Sequence, residues 1–534
     1  MRRKIGFWEA FSIGVGGMIG GGIFAVLGLS IQLSKGASPI AFFIAGMIAL
    51  LTAYSYARLS VRFPSEGGTV EFIVRAYGNG LFSGTLNILL LLSYIVMISL
   101  YAYAFGSYGA NLIPLEPEVS KHLLITSVIV VFTVVNALGA FISGKTEDFL
   151  VAFKLAILIV VAGAGVFLIN TSRLLTSNWA DPLSIIAGGM VIFLAYEGFE
   201  LIANTGCDVE NPSVLPKAYY AAVLLVMTVY VLVAVVTVGT LPYDEIIRAR
   251  DYALAAAAKP SLGELGFLLV TFAALASTSS AINATLYGTA RISYMVAKYG
   301  ELPETVEKPL WRQAYEGLLV VSILSLILAN TLSLESISTA GSGGFLLIFS
   351  FVNLAALKLR DKVKVNPIIS GIGAFLSFTA FLVLISKMAE RGITNLITFG
   401  GLISVAFLSE SAFRFIKGRE IEEKLDKRLV TIEENIRNWK EWIGRMVECI
   451  SDTFEDAEIF LVGSIARGDV DKAHDVDLLV LTANPPANER EVTEDLKKKA
   501  KLTPQHVVDI HFESKRKREE ALRKAKHYRT LKQV

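Results

Sequence analysis

Apolar residues run along the first four-fifths of this chain in long uninterrupted stretches. Twelve segments of about 20 or more mostly apolar residues stand out, near 7–33, 39–63, 81–111, 121–142, 146–170, 182–205, 216–241, 264–297, 314–332, 334–357, 366–388 and 393–416. Each is long enough to cross a bilayer as a helix. Barrel strands would instead alternate over about ten residues. From residue 418 the pattern changes. Ile421, Leu425, Leu429, Ile432, Ile436, Trp439, Ile443 and Met446 recur at helical spacing in a charged background, which predicts an amphipathic connector over 418–450. Strands follow at Ala457–Val462, at 474–481 and at Val507–Phe512, so a small α/β domain is expected over 451–534 after a membrane domain over 1–417.

Composition sharpens the division. Of the 98 charged residues among 534, 51 lie in the first 417 positions and 47 in the last 117. The 53% of hydrophobic residues and the mean hydropathy of +0.56 argue against an ordinary soluble enzyme and exclude a disordered chain, a disulfide scaffold and a collagen-like fibre. The net charge of +2 argues against a polyanionic partner, and nucleic acid is not expected as one. Cys207 and Cys449 fall in different parts and are expected to be free thiols. The basic start Met1-Arg2-Arg3-Lys4 leads into a full-length apolar segment, not a short cleavable one, and predicts a retained first helix. With the N-terminus inside, inner loops hold sixteen Lys and Arg and outer loops eight. That bias predicts a multi-pass cell-membrane protein with both termini cytoplasmic.

Two segments depart from a plain bundle. The first reads Gly14-Val15-Gly16-Gly17-Met18-Ile19-Gly20-Gly21-Gly22-Ile23-Phe24. Glycines let helices pack closely, or they break a helix so that freed amides face an anion. The sixth holds Glu197 and Glu200 within an apolar run. A carboxyl at that depth is structural, proton-carrying or substrate-facing. Breaks five helices apart suit an inverted repeat, and opposed half-helix ends suit an amino acid zwitterion. The fifth segment carries Lys154, which either snorkels or takes the place of a coupling cation. Ser277, Thr278, Ser279, Ser280, Asn283 and Thr285 in the eighth coordinate a cation, cap Lys154 or bond back to their own helix.

These motifs resemble the amino acid–polyamine–organocation (APC) permeases. The resemblance rests on Met18-Ile19-Gly20-Gly21-Gly22-Ile23-Phe24, on Phe193-Leu194-Ala195-Tyr196-Glu197-Gly198-Phe199-Glu200 with Glu210-Asn211-Pro212 and Pro216, and on Ser280-Ala281-Ile282-Asn283-Ala284-Thr285-Leu286-Tyr287-Gly288-Thr289-Ala290-Arg291 with Gly300-Glu301-Leu302-Pro303. It covers roughly residues 5–415. It implies twelve transmembrane helices, ten of them a LeuT-type five-plus-five inverted repeat. The substrate carboxylate is implied at Gly20, Gly21 and Gly22, and its amino group at main-chain carbonyls of Phe193, Leu194 and Tyr196. Glu197 is expected to line the same site. Lys154 resembles the lysine that fills the sodium place in proton-coupled members, with Glu200 assisting. The chain departs from the family's acidic pair before Asn-Pro, reading Cys207-Asp208-Val209-Glu210.

In the tail, Asp475 and Asp477 are two apart on one strand and share a face, and Asp509 sits on another strand. Three carboxylates on one face call for a divalent cation, and Mg²⁺ suits carboxylates plus phosphates. Gly463-Ser464 at a strand end offers amides to a phosphate. This pattern resembles the minimal nucleotidyltransferases of the polymerase-beta superfamily, with His474 where members often carry Ser. It implies catalytic and metal-binding roles for Asp475, Asp477 and Asp509, with a nucleoside triphosphate at Gly463 and Ser464. The basic stretch Lys515–Arg529 reads as a solvated helix or as a contact for anionic lipid or nucleic acid, and the tail's net charge of −1 favours the solvated helix.

The combined expectation is a secondary transporter that imports amino acids by proton symport, needs no cofactor for transport, and carries a nucleotide-binding or nucleotidyltransferase domain of regulatory role. Three alternatives stand beside it: an exchanger, a carrier of cationic amino acids or polyamines, and a membrane-tethered nucleotidyltransferase with a sensor-like membrane part.

Overall fold

The computed structural model describes residues 5–65, 67–138, 144–206, 209, 211–298, 315–391, 393–417, 435–436, 438–468, 476–486, 489–500, 502, 507–525 and 527–531. The chain divides into two compact units, Met1–Gly418 and Arg419–Val534.

The described residues of the first unit are mostly helical. Its first span is a bent pair, α1 (Phe7–Met18) and α2 (Gly22–Ser34), whose axes differ by 46°. Then come α3 (Ser38–Arg62), the short α4 (Thr69–Tyr77), α5 (Leu81–Ala110), α6 (Pro117–Ala137) and α7 (Gly144–Gly165). The sixth span starts as α8 (Pro182–Phe193) and continues as 3₁₀ turns at Leu194–Tyr196 and Phe199–Thr205. After it lie α9 (Val214–Thr240), α10 (Tyr243–Arg248), α11 (Ala253–Lys298), α12 (Tyr315–Thr331), α13 (Leu334–Lys358), α14 (Arg360–Val363), α15 (Pro367–Arg391) and α16 (Ile393–Lys417). Among the described residues ten helices are long and apolar enough to cross a membrane, or eleven with the bent pair as one span. The ninth expected segment is also a helix, α12, with 17 residues among the described ones and an apolar stretch over Gly317–Thr331.

Local chemistry sets many helix starts. Pro39, Pro117 and Pro182 sit in first turns, where a missing N–H costs nothing. Glu116, Asp181 and Ser333 each accept a hydrogen bond from an amide three residues on. Packing then sorts the helices. α5 is enclosed and touches α11, α13, α6 and α16. α6 and α16 turn bulky side chains outward, including Leu123, Val131, Val134, Leu408 and Phe415, as a lipid-facing surface requires.

The first and sixth spans meet where both lose helical form. A Cβ on Gly17 would lie 2.8 Å from Gly198 Cα, so the two backbones touch with no side chain between them. Gly198 also has φ +117°, a conformation that L side chains rarely adopt. Further along, a Cβ on Gly22 would lie 2.6 Å from Ala195 Cα. Packing and helix breaking, posed as alternatives for these glycines, are both in force at different positions.

The second unit is a four-stranded sheet of order β3-β2-β1-β4, where β1 is Glu458–Val462, β2 Val476–Thr482, β3 Val508–Ser514 and β4 Tyr528–Thr530. β1 pairs antiparallel with β2 and β4, and β2 pairs parallel with β3. One face carries Val476, Leu478, Val480, Val508, Ile510 and Phe512 and packs on α17 (Trp439–Thr453). The period of two puts Leu479 and Leu481 on the other face. There they pack on α20 (Arg518–Ala525), after α18 (Gly463–Arg467) and α19 (Glu489–Lys499) have intervened in the chain. The Asp456 carboxylate accepts from Thr482 Oγ1 at 2.7 Å and Ala483 N at 2.6 Å, and these bonds hold it below the usual carboxylate range. The stretch read as one basic helix is a 3₁₀ turn, Lys515–Lys517, followed by α20 and then β4. Its last residues are extended because Phe460, Leu461 and Val462 pair with them. Residues 418–434 of the expected connector lie outside the described residues.

The crossing yields a stability test. Gly198→Ala should lower the thermal melting point of the detergent-purified protein by several degrees, because strain of about 1–3 kcal/mol adds to the clash with Gly17. Gly163→Ala, on α7 with nothing within 4 Å of its added carbon, should leave melting unchanged.

Candidate functional site

Each break frees backbone groups, and the surrounding helices supply partners. On the first span, Lys154 Nζ donates to Gly16 O at 3.2 Å. Tyr230 Oη on α9 donates to Met18 O at 2.8 Å. Ser277 Oγ on α11 donates to Ile19 O at 2.7 Å and also reaches Gly20 O. Tyr230 Oη lies 3.2 Å from Ala195 O as well, so one hydroxyl serves the carbonyls of both breaks. At the other pole, the first i→i−4 bond of α2 is Ala25 N to Gly21 O. The amides of Gly22, Ile23 and Phe24 therefore have no acceptor within their own helix. Gly20, Gly21 and Gly22 stand at this positive end, as the resemblance implies for a substrate carboxylate.

The sixth-span residues lie opposite. Phe193 ends α8, Leu194 and Tyr196 form the 3₁₀ turn, and all three are fully buried. Tyr196 Oη donates to Phe42 O at 2.9 Å, and its ring packs edge-on against that of Tyr230. Glu200 closes the second break, accepting from Gly198 N at 2.7 Å and from Tyr94 Oη at 3.1 Å. Glu197 differs. It has extended backbone, is 1% exposed, and neither carboxyl oxygen has a hydrogen-bond partner among the described residues. An ionised carboxylate so placed needs a proton or a cation beside it.

Lys154 does not snorkel: it is 3% exposed and reaches inward. Nor do the hydroxyls of the eighth span share one task. Ser277 serves the first break, while Thr278 bonds back to Ala274 O at 2.7 Å. Asn283 Oδ1 accepts from Asn136 Nδ2 at 2.8 Å.

Sequence reasoning missed two tyrosines. Tyr101 on α5 lies along the first break, 3.4 Å from where a Cβ on Gly20 would stand. Tyr230 joins the breaks. For Tyr230 the available signal was a polar-tipped ring within a largely aliphatic run.

In the tail, β2 and β3 bring Asp477 directly opposite Asp509 in register. One ligand atom from each of Asp477, Asp509 and His511 lies within 4.8 Å of the others. His511 Nε2 is 3.6 Å from Asp509 Oδ2. This histidine, two positions after Asp509 and hence on its face, was also missed. Gly463 has φ +74°, and a Cβ there would collide with the Asp477 carboxylate. Gly463 and Ser464 open α18 directly beside that carboxylate. Asp475 and His474 lie outside the described residues. Two carboxylates facing each other fit a hard divalent cation such as Mg²⁺ or Mn²⁺.

Tyr230→Phe should destabilise the protein by about 1–3 kcal/mol, since two buried carbonyls lose their donor. Melting of the purified variant against Tyr220→Phe, a half-buried ring on the same helix, measures it.

Comparison with known proteins divides the chain as its fold does. The sequence pattern of the amino acid permease family matches residues 5–416, and that of the nucleotidyltransferase domain matches 443–532. An uncharacterized protein of Methanocaldococcus jannaschii is 38% identical over 418 residues, covering 78% of this chain and 95% of its own. The inner membrane transport protein YbaT of Escherichia coli is 32% identical over 410 residues, covering 76% and 95%. A solved manganese transporter of Eremococcus coleocola shares the fold at a TM-score of 0.51 and 14% identity, covering 76% of this chain and 96% of its own. The chain belongs to the amino acid permease family of multi-pass membrane transporters, and a nucleotidyltransferase domain follows its permease part.

Proposed function

We propose that the membrane unit imports amino acids by alternating access, coupled to protons. The observation that carries this reading is the meeting of the two broken spans. The amide end of α2 and the carbonyl end of α8 face one region, which suits both ends of a zwitterion. Gly20, Gly21 and Gly22 take the carboxylate, and main-chain carbonyls of Phe193, Leu194 and Tyr196 take the amino group. Lys154 supports coupling because its ammonium bonds to α1 itself, at Gly16 O. Gain or loss of its proton alters the hold on the half-helix that lines the site. Glu200 keeps the second break closed and tunes the same region. The excess of Lys and Arg in alternate loops supports cytoplasmic termini in the cell membrane.

A second reading of substrate rests on Glu197. Its unpartnered, buried carboxyl favours a substrate with an additional cationic group, hence a cationic amino acid or a polyamine.

For the tail we propose binding of a nucleoside triphosphate with Mg²⁺. Asp477 and Asp509 would hold the ion, together with Asp475. The metal would supply charge neutralisation at the phosphates. Gly463 and Ser464 would hold a phosphate, and the proposed role is regulation of flux.

Uptake of labelled amino acids into proteoliposomes should rise with an inward proton gradient. Lys154→Ala should lose that response while keeping some counterflow. Counterflow alone in the unaltered protein would indicate exchange. Glu197→Gln should weaken arginine uptake tenfold or more and alanine uptake little; equal loss removes the cationic reading. For the tail, equilibrium dialysis of labelled ATP against the full-length protein should show Mg²⁺-dependent retention, reduced at least tenfold by Asp477→Asn.

A further inference from the structure

Away from the central breaks, a cavity of about 450 Å³ opens at the far end of α2, between α9, α10 and the 3₁₀ turns Thr171–Leu174 and Thr176–Asn178. At about 1.5 Å per residue, the 13 residues of α2 put it roughly 20 Å from the first break. Its volume lies in the range of small-molecule sites.

Its lining divides into two kinds of surface. The apolar part is Ile31, Val238, Leu241 and Ile246, none more than 5% exposed. The polar part contains Lys35 and Arg173, and none of the lining residues is acidic. Neither cation forms an ion pair among the described residues. Backbone pairing brings their segments together, because Lys35 bridges to Trp179 and Gly36 N donates to Asn178 O at 3.0 Å. Arg173 is oriented by its bond to Gly239 O at 3.0 Å. Tyr243 is held by its hydroxyl on Gln32 O at 3.1 Å, and Lys35 Nζ stands 5.9 Å from its ring centroid. Two cations without a counter-charge, above an apolar floor, describe a receptor for an oxyanion that carries an apolar tail.

We infer that this cavity binds an amphipathic oxyanion, with Lys35 and Arg173 on the charged group and the floor of Ile31, Val238, Leu241 and Ile246 on the tail. Two sources share this chemistry: an anionic phospholipid headgroup and a free carboxylate of modest size. Trp179 and Tyr243, both partly exposed at the mouth, are side chains that favour a membrane–water interface. A bound ligand would tie α2 to α9 and α10. The site is separate from the central one, and the inference does not depend on how transport is coupled.

The test is thermal melting of the purified full-length protein in a nonionic detergent. The probes are short-chain phosphatidylglycerol with short-chain phosphatidylcholine as its neutral control, and hexanoate with hexanol as its control. The expected result is a rise of several degrees with at least one anionic probe and not with its control. The doubly substituted Lys35→Gln, Arg173→Gln protein should need at least tenfold more probe for the same rise. Lys35→Gly removes the charge and relieves the positive φ of that residue, so a folded variant with weakened response is available if the double substitution impairs folding. A response to phosphatidylglycerol alone assigns the headgroup, and a response to hexanoate assigns the free carboxylate. No shift with either anion, an equal shift with the neutral controls, or an undiminished response in the substituted proteins would overturn the inference.

Discussion

A broken helix inside a bilayer has no water to satisfy the backbone groups that the break exposes. Everything around the centre of the membrane unit answers that constraint. Lys154, Tyr230 and Ser277 come from three different helices and end on the carbonyls of Gly16, Met18 and Ile19, all within one short segment. Glu200 does the reverse on the sixth span, presenting a carboxylate to the Gly198 amide. These side chains fix which helices must surround the breaks, and so fix the neighbours of α1 and α8. What is left uncovered is the amide end of α2 and the carboxyl of Glu197, which is why a ligand is argued at that place.

Much of this was legible in the sequence because the relevant signals are local. Span lengths, the triple glycine and carboxyls in an apolar run are all visible within a dozen residues. Partnerships across the fold were not. Nothing near Tyr230 in sequence says that its hydroxyl reaches two carbonyls more than thirty residues away in the chain. Glu197 and Glu200 read alike, three positions apart on the same short segment. The turn at Gly198 separates them, so one finds an amide and a phenol while the other finds no hydrogen-bond partner among the described residues.

The tail shows the same division. Alternation along β2 and β3 put Asp477 and Asp509 on a face, yet their pairing follows only from parallel register. β4 escaped notice because its three residues are all exposed and polar-flanked; pairing with β1, not burial, makes them a strand. His511 was passed over as one more strand residue. Its position two after Asp509 meant that any chemistry on that face would include it.

Tyr230 carries a consequence beyond holding the breaks. A phenol has one proton, and here two carbonyls compete for it, at 2.8 and 3.2 Å. The shorter contact, to Met18 O, is at the ordinary hydrogen-bond distance, and the longer one, to Ala195 O, is the weaker. If α1 and α8 separate, the hydroxyl turns wholly toward one carbonyl, and that bond improves as the other is lost. The closed arrangement is thus frustrated by a shared donor. A count of the bonds around the breaks therefore overstates the cost of parting the half-helices, because one proton has been counted twice.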